Sequence, residues 1–569
     1  MRKSVLRLLA LLSILGLVYG VKKATDEVVP RPDSPANRFP SPLKNVTTPS
    51  KWASATLPTI PPDPDKINRL ISQWGDVPPA DREAAEVALQ RGISAPEFAM
   101  FEKAVADQKD LSSDAREFLT GIIERERPRV AARLQIANEM SDCNTWIYRN
   151  VMEEYEAIGR KNPKWDADVR DGLTAYFTFY IDRRKAFDLL SRAVDQEGCD
   201  DPMVVYYFAR LLETFGDPKK TRACFQNAWR QIQSTQYSAY RQETVILRAF
   251  KYIYSAERAS MPAGTKFTRE FQSFLGRTYD ELCLRWPAVV AQQGVPEQVL
   301  RELAIDIIEH EMLGGKDAIA LYDHYAAPLK EALPATSTVP LELEGAFYIK
   351  YAWDARGGGY ANTVTADGWK LFHERLQTAR AALEKAWGLN ATLATVPQHM
   401  LTVGLGQSWS VDQMMVWFDR GMKIDPDGET LCDSMINYLQ PKWHGSPQDM
   451  IDFGHHCLEM RNWNGSTPFV IVTAHKDLAA MAPDENAYWH YPEVWTDMQA
   501  VYLPYIKAEP KNTRVRCHYC YACCRTGHWD AAAAQFALLD ENVHPGPFGS
   551  RDVMEGYRMQ AMDRVKKGK

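Results

Sequence analysis

One small-large-small register recurs along this chain and limits its architecture more than any other feature. Ala186, Leu190 and Ala193 return 35 residues later as Thr221, Phe225 and Ala228, and Ala379, Leu383 and Ala386 return 35 later as Met414, Phe418 and Gly421. A small residue, a large apolar one four positions on and a small one three after that is the packing stripe of the second helix in a helical hairpin. A third copy, shifted by one residue, runs Met450, Gly454, Cys457, and a last one follows at Gly527, Trp529, Ala532 and Phe536. Units of this size cannot bury a core alone, so they stack, and a stacked array presents extended surface rather than one built reaction centre.

The 569 residues suffice for several domains or one continuous array. Strand signals are nearly absent. The one β-looking run, Pro468 to Thr473, reads equally as a buried helical turn, so the chain is expected to be all-α with on the order of twenty helices. Ser113 opens a capped amphipathic start. Pro128, Pro202, Pro218, Pro296, Pro397, Pro441 and Pro492 are expected at gaps between helices, where proline costs least. The region from about Thr268 to Leu341 is helical in period but out of register.

The net charge of -6 is nearly balanced on so long a chain, which argues against a nucleic-acid partner despite a small basic tail from Arg564 to Lys569. At the other end, Arg2, Lys3 and Arg7 precede an uncharged run from Leu8 to Val21, the pattern of a signal-peptide core. The chain is therefore expected to be exported. It is either cleaved after Gly20, becoming periplasmic or extracellular, or held at a membrane by residues 5–21. Ten prolines between Pro30 and Pro64 read as an extended linker. The expected divisions are 1–23 signal or anchor, 24–65 linker, 66–265 helical region with the first repeat block, 266–345 irregular connector and 346–569 second repeat block. Sequons at Asn45, Asn390 and Asn464 matter only in a host that glycosylates them.

The recurring stripe resembles the tetratricopeptide-like repeat superfamily, and the likeness covers about two fifths of the chain. That resemblance implies an α-solenoid of antiparallel hairpins wound as a right-handed superhelix with a concave binding face. A sharper likeness lies between Tyr438 and Gly454, with KAWGLN upstream. Leu439, Pro441, Lys442, Trp443, Gly445 and Ser446 resemble the Leu-x-Pro-Lys/Arg-Trp-x-Gly-Ser signature of a family of uncharacterised bacterial repeat proteins, with His444 where many members carry Gly. This implies a fold and brings no reaction. Trp443 is expected to anchor the loop that adds the extra residue, with Pro441 and Gly445 shaping the turn.

Several clusters invite chemical readings. Cys517, Cys520, Cys523, Cys524 and His528 have near-zinc spacing, but on one helix they would string about 16 Å along its axis, too far for one ion, so they read as packing. Tyr351 to Trp369 carries Gly357, Gly358 and Gly359 between Arg356 and Tyr360 without the strand and helix context of a phosphate loop. It reads as an inter-helix loop, with Thr365 or Asp367 capping the helix at Trp369, and Arg356 as the leading contact residue for any ligand. His310 and Glu311 lack the second histidine of a zincin, since Gly314 stands there. His455 and His456, adjacent on a helix, cannot face one site together. No catalytic residue, metal ligand or cofactor site is assigned, and no P-loop or nucleophile elbow occurs.

The 16 Trp, 25 Tyr and 21 Phe mostly fill wedges between helices, while some fraction is expected to line a groove. The binding candidates are Trp353, Arg356, Tyr360, Trp369, Lys442 and His444. The leading expectation is an exported or membrane-tethered, non-enzymatic scaffold for a protein or peptide partner. The rival is an α/α-toroid-like enzyme or binding protein for polysaccharide, which needs two carboxylates about 5 to 10 Å apart.

Overall fold

The computed structural model describes residues 62–177, 183–262, 265–311 and 318–566. The expected signal or anchor segment and all but the end of the linker lie outside these residues, as does the side chain of His310. The fold is all-α, with no strand among the described residues. Pro468 to Thr473 resolves as a 3-10 turn, Thr467–Phe469, leading into a helix from Val470 to Met481 that is apolar nearly all round and buries Val470, Ile471, Val472, Ala474 and Leu478. No described helix is long and apolar enough to cross a membrane.

Along the chain, α1 (Pro64–Trp74), α2 (Arg82–Gly92), α3 (Phe98–Asp107) and the long α4 (Ser113–Ile158) come first. Then follow α5 (Asp166–Phe177), α6 (Arg183–Ser191), α7 (Pro202–Phe215), α8 (Pro218–Ile232), α9 (Ala239–Ala259), α10 (Arg269–Val290), α11 (Glu297–Glu311), α12 (Ala318–Ala332), α13 (Val339–Arg356) and α14 (Ala366–Leu389). The remainder are α15 (Thr395–Gln407), α16 (Val411–Ile424), α17 (Glu429–Tyr438), α18 (Pro447–Glu459), α19 (Val470–Met481), α20 (Glu485–Trp489), α21 (Pro492–Ala508), α22 (Thr513–Arg525), α23 (Trp529–Leu539) and α24 (Arg551–Lys566).

Two compact bodies contain these helices. Asn138–Thr392 belongs to one, here the middle body. The described residues 62–137 join Leu393 onward in the other, the terminal body. These bodies cut across the blocks 66–265, 266–345 and 346–569, because residues before Ala137 pack with helices hundreds of positions later, a pairing that local periodicity does not encode.

In both bodies neighbouring helices pack in sequence, α5 on α6, α7 on α8, α13 on α14, α15 on α16 and α22 on α23. The register sits at these contacts: Ala193, Ala228, Ala386 and Cys457 are fully buried, and so is Gly421. Small residues on the facing helix make room for the large ones. A Cβ at Gly345 would stand 2.5 Å from Leu383, so only glycine lets α13 approach α14 this closely.

Caps fix where the helices begin. Asp201 accepts from the Met203 and Val204 N–H groups, Asp217 from Lys219 and Lys220, and Ser410 from Gln413, leaving fewer unpaired donors in each first turn. Pro202, Pro218 and Pro492 stand at first helical positions, where their missing N–H is no loss. Pro128 is different: it lies inside α4 rather than at a gap. Both Pro128 and Glu124 are exposed, so the Glu124 carbonyl that loses its helical donor faces water.

In the terminal body the early helices are tied to the late ones. Arg133 grips Asp427 through two hydrogen bonds of 2.9 and 3.0 Å and Glu126 through a third of 2.9 Å. Fully buried Glu86 accepts from Arg125 and Arg461. The Trp463 N–H donates to Gln90, its carbonyl accepts from the Tyr505 hydroxyl, and the two rings meet edge to face.

Candidate functional site

The glycine loop of the middle body gathers three of the expected binding residues. Helix α13 ends at Arg356 because Gly357 turns into the left-handed region at φ 75°, and Thr365 starts α14 by accepting from the Gly368 N–H. The Arg356 guanidinium lies 5.5 Å from the Trp353 ring centroid and 5.4 Å from that of Trp369, and it donates to the Gly357 and Gly359 carbonyls. Burial lowers its basicity. Phe372 closes the base, edge-on to both indoles. The residue expected to meet a ligand thus holds its own loop, while Tyr360 on that loop is 86% exposed.

Lys442 and His444 belong to the terminal body, in the loop between α17 and α18. His444 Nε2 bonds the Leu405 carbonyl at 2.9 Å, and its ring leans on Tyr438, whose hydroxyl is buried against the Trp409 carbonyl. A Cβ at Gly445 would fall 2.2 Å from the Leu439 carbonyl oxygen, so this turn requires glycine, and Ser446 then caps α18. Trp443, expected as a buried anchor, is only half-buried. Backbone bonds from Trp443 to Gln440 and from His444 to Tyr438 shape the loop.

Cys517, Cys520, Cys523 and Cys524 are all buried on the continuous helix α22. Cys517 and Cys520 lie against the Asn542 and Ala532 carbonyls; burial raises the Cys517 thiol, and contact with the Cys524 thiol together with burial raises that of Cys520. His528 stacks on Trp495 with ring centroids 3.8 Å apart. Among the described residues no group of three or more His, Cys, Asp or Glu is placed to hold a metal ion.

Two arrangements escaped the sequence reading. In the first, Asp497, nine-tenths buried on α21, bridges two imidazoles: His455 Nε2 at 2.9 Å on one oxygen and His475 Nε2 at 2.9 Å on the other. The Tyr488 hydroxyl completes the chain at His475 Nδ1, also 2.9 Å. Burial works against the Asp497 carboxylate, but the two histidine bonds more than offset it and hold its pKa below the ordinary value. His455 carries this buried polar chain to the surface.

The second is a set of partly desolvated ionisable groups on α15, α17, α19 and α22 of the terminal body. Burial pushes Asp433 on α17 up to about 6, helped by Glu429 and Asp477, and it raises Asp477 on α19. It also lowers Lys476, and drops His399 on α15 and His518 on α22 to about 4. All five move toward their neutral forms, as expected along a partly desolvated face.

A cavity of about 380 Å³ lies where the early helices of the terminal body meet Asp427 and Asn464. Its cations Lys66, Arg91 and Arg133 are paired with Glu97, Glu509 and Asp427, so its rim is electrically balanced. In comparisons with known proteins, no family model matches this chain and no curated protein matches it.

Proposed function

We propose that the protein is an exported, non-enzymatic helical-repeat scaffold, with its hairpins stacked as a solenoid, that binds a protein or peptide partner. The observation that carries this reading is Tyr360, 86% exposed on a loop that Arg356 clamps between Trp353 and Trp369. A large amphipathic ring presented from a braced loop loses little freedom on binding, and aromatic anchors of this kind dominate protein interfaces. The buried repeat register supports the stacked architecture, and an extended stacked surface suits a polypeptide ligand.

The test is capture by the full chain from an envelope fraction of the source organism, comparing the unaltered protein with Tyr360→Ala. The reading expects a discrete set of captured proteins that Tyr360→Ala loses while its melting temperature is kept. Equal capture by both chains would remove the loop from the interface. The polysaccharide-directed alternative draws on one feature, the carboxyl of Asp433 held near 6 beside Asp477. Hydrolysis of a polysaccharide, abolished by Asp433→Asn, would replace the scaffold reading with that one.

A further inference from the structure

Two stripes of planar polar and aromatic side chains line one cavity in the middle body. On α8 and at its C-cap, Gln226, Trp229, Arg230 and Gln233 recur at the spacing of a single helix face. On α10, Phe274, Arg277 and Glu281 share a face in the same way. Helix α9 packs against both helices, and the space between the stripes is a solvent-open cavity of about 380 Å³, within the size range of small-ligand sites. The Trp229 indole N–H donates to Glu281 at 2.9 Å, and Phe274 meets the same indole edge to face with ring centroids 4.9 Å apart. The aromatic wall is therefore braced before any ligand arrives.

The donors on the rim are uncommitted. Arg230 is exposed and bonds only the Gln226 carbonyl, one turn back on its own helix, and Arg277 is exposed and bonds only the Ser273 hydroxyl. Neither guanidinium has an ion pair among the described residues. Glu281 gives one carboxylate oxygen to Trp229 and keeps the other without a hydrogen bond among them. The cavity thus offers donors and an acceptor together, all on planar groups suited to paired hydrogen bonds. A bare oxyanion would use the arginines but be repelled by Glu281. A ring with neighbouring hydroxyls uses both kinds of group, because each hydroxyl donates and accepts, while its C–H surface packs on the aromatic wall. A carboxylate on such a ring then answers the two unpaired guanidiniums.

We propose that the groove between α8 and α10 binds an oligosaccharide of uronic-acid rings. Arg230 and Arg277 take the sugar carboxylate, Glu281 and the Gln226 and Gln233 amides take ring hydroxyls, and Phe274 packs against a ring. The site shares no residue with the Tyr360 loop, so it is a second contact that neither supports nor depends on the polypeptide one.

The experiment is calorimetry on the full chain with trigalacturonate, with galactotriose as its neutral counterpart and with an acetylated, amidated triglutamate peptide as a polypeptide source of carboxylate. Trigalacturonate is expected to bind, galactotriose about tenfold or more weakly, and the peptide not at all. Replacing both exposed arginines, Arg230→Gln with Arg277→Gln, is expected to keep the melting temperature, to weaken trigalacturonate binding about tenfold or more and to flatten its dependence on salt. Absence of trigalacturonate binding at millimolar concentration, or equal affinity in the double variant, would overturn the proposal. Binding of the peptide as tight as that of trigalacturonate would overturn it too, by assigning the groove to an acidic polypeptide.

Discussion

Arg241 in the middle body and Arg133 in the terminal body each hold several acceptors, yet they solve different problems. Arg241 is fully buried and uses Nε on Glu154, one terminal nitrogen on the Tyr207 hydroxyl and the other on Asn150. Glu154, equally buried, takes the Ser238 N–H on its second oxygen. Arg133 keeps 15% of its side chain exposed and spans 294 positions to reach Asp427. The first network satisfies charges that have no water. The second fastens a distant stretch of chain at a surface where water still competes, so truncating the buried arginine should cost more.

Arg241→Ala is accordingly the most damaging change, with an expected loss of about 3 to 5 kcal/mol in chemical denaturation, because it strands Glu154 uncompensated. Pairing Arg241→Met with Glu154→Leu should return much of that loss, since no buried charge then remains. A single variant within 1 kcal/mol of the unaltered protein would show that water reaches Glu154.

Arg133→Ala comes next, at about 1.5 to 3 kcal/mol, the range for hydrogen bonds to charged groups. It should also hasten limited proteolysis between α3 and α4, around Gln108 to Ser112, where the fastened segment is open. A pH series sharpens the contrast. Burial opposes the Asp427 carboxylate, but Arg133 and Asn462 outweigh it and depress its pKa below 3.8. A depressed carboxylate contributes stability that is present above its ordinary value and lost as pH falls through its lowered one. Arg133→Ala should therefore flatten the acid limb of the stability curve. An unaltered acid limb would show that Asn462 and Arg129 depress the Asp427 pKa without Arg133.

Much of the architecture was legible because it is local. Ala193, Ala228, Ala386, Gly421 and Cys457 repeat along single helices and lie buried at the expected contacts, as Thr365 lies at its expected cap, whereas in the last copy Gly527 falls in the turn before the helix and Trp529 is only half-buried. The clustering of Trp353, Arg356 and Trp369 followed from their places at the two ends of one short loop. What could not be read is non-local. Asp497 meets His455 and His475 from 42 and 22 positions away, and Glu154 meets Arg241 across 87. A usable signal did exist: Glu154, Arg241 and Asp497 place charges on helix faces that are otherwise apolar, and such charges need partners. The half-burial of Trp443 went unread for a related reason, since the backbone bonds from the Trp443 N–H to Gln440 and from the His444 N–H to Tyr438 shape its loop, a pairing that residue type alone does not show.

The smallest expected effect has the opposite sign and concerns Glu243, a neighbour of Arg241 on α9. It is fully buried, and neither of its carboxyl oxygens has a hydrogen-bond partner among the described residues. Burial raises its pKa well above 4.5, and Glu281 adds to the rise. Arg285 opposes it but is itself engaged by Gln242 and the Glu281 carbonyl. A carboxyl whose folded pKa is raised contributes stability fully present below its unfolded value and lost as pH climbs through the folded one. The unaltered protein should thus lose stability from about pH 4.5 upward on this group's account. Glu243→Met, similar in length and with nothing to deprotonate, should gain about 1 kcal/mol at pH 7.5, less at pH 5, and reduce the slope between them. A loss at pH 7.5 would mean that ionised Glu243 is paired with Arg285 in the folded chain, making this third charge system an ion pair like that of Arg241.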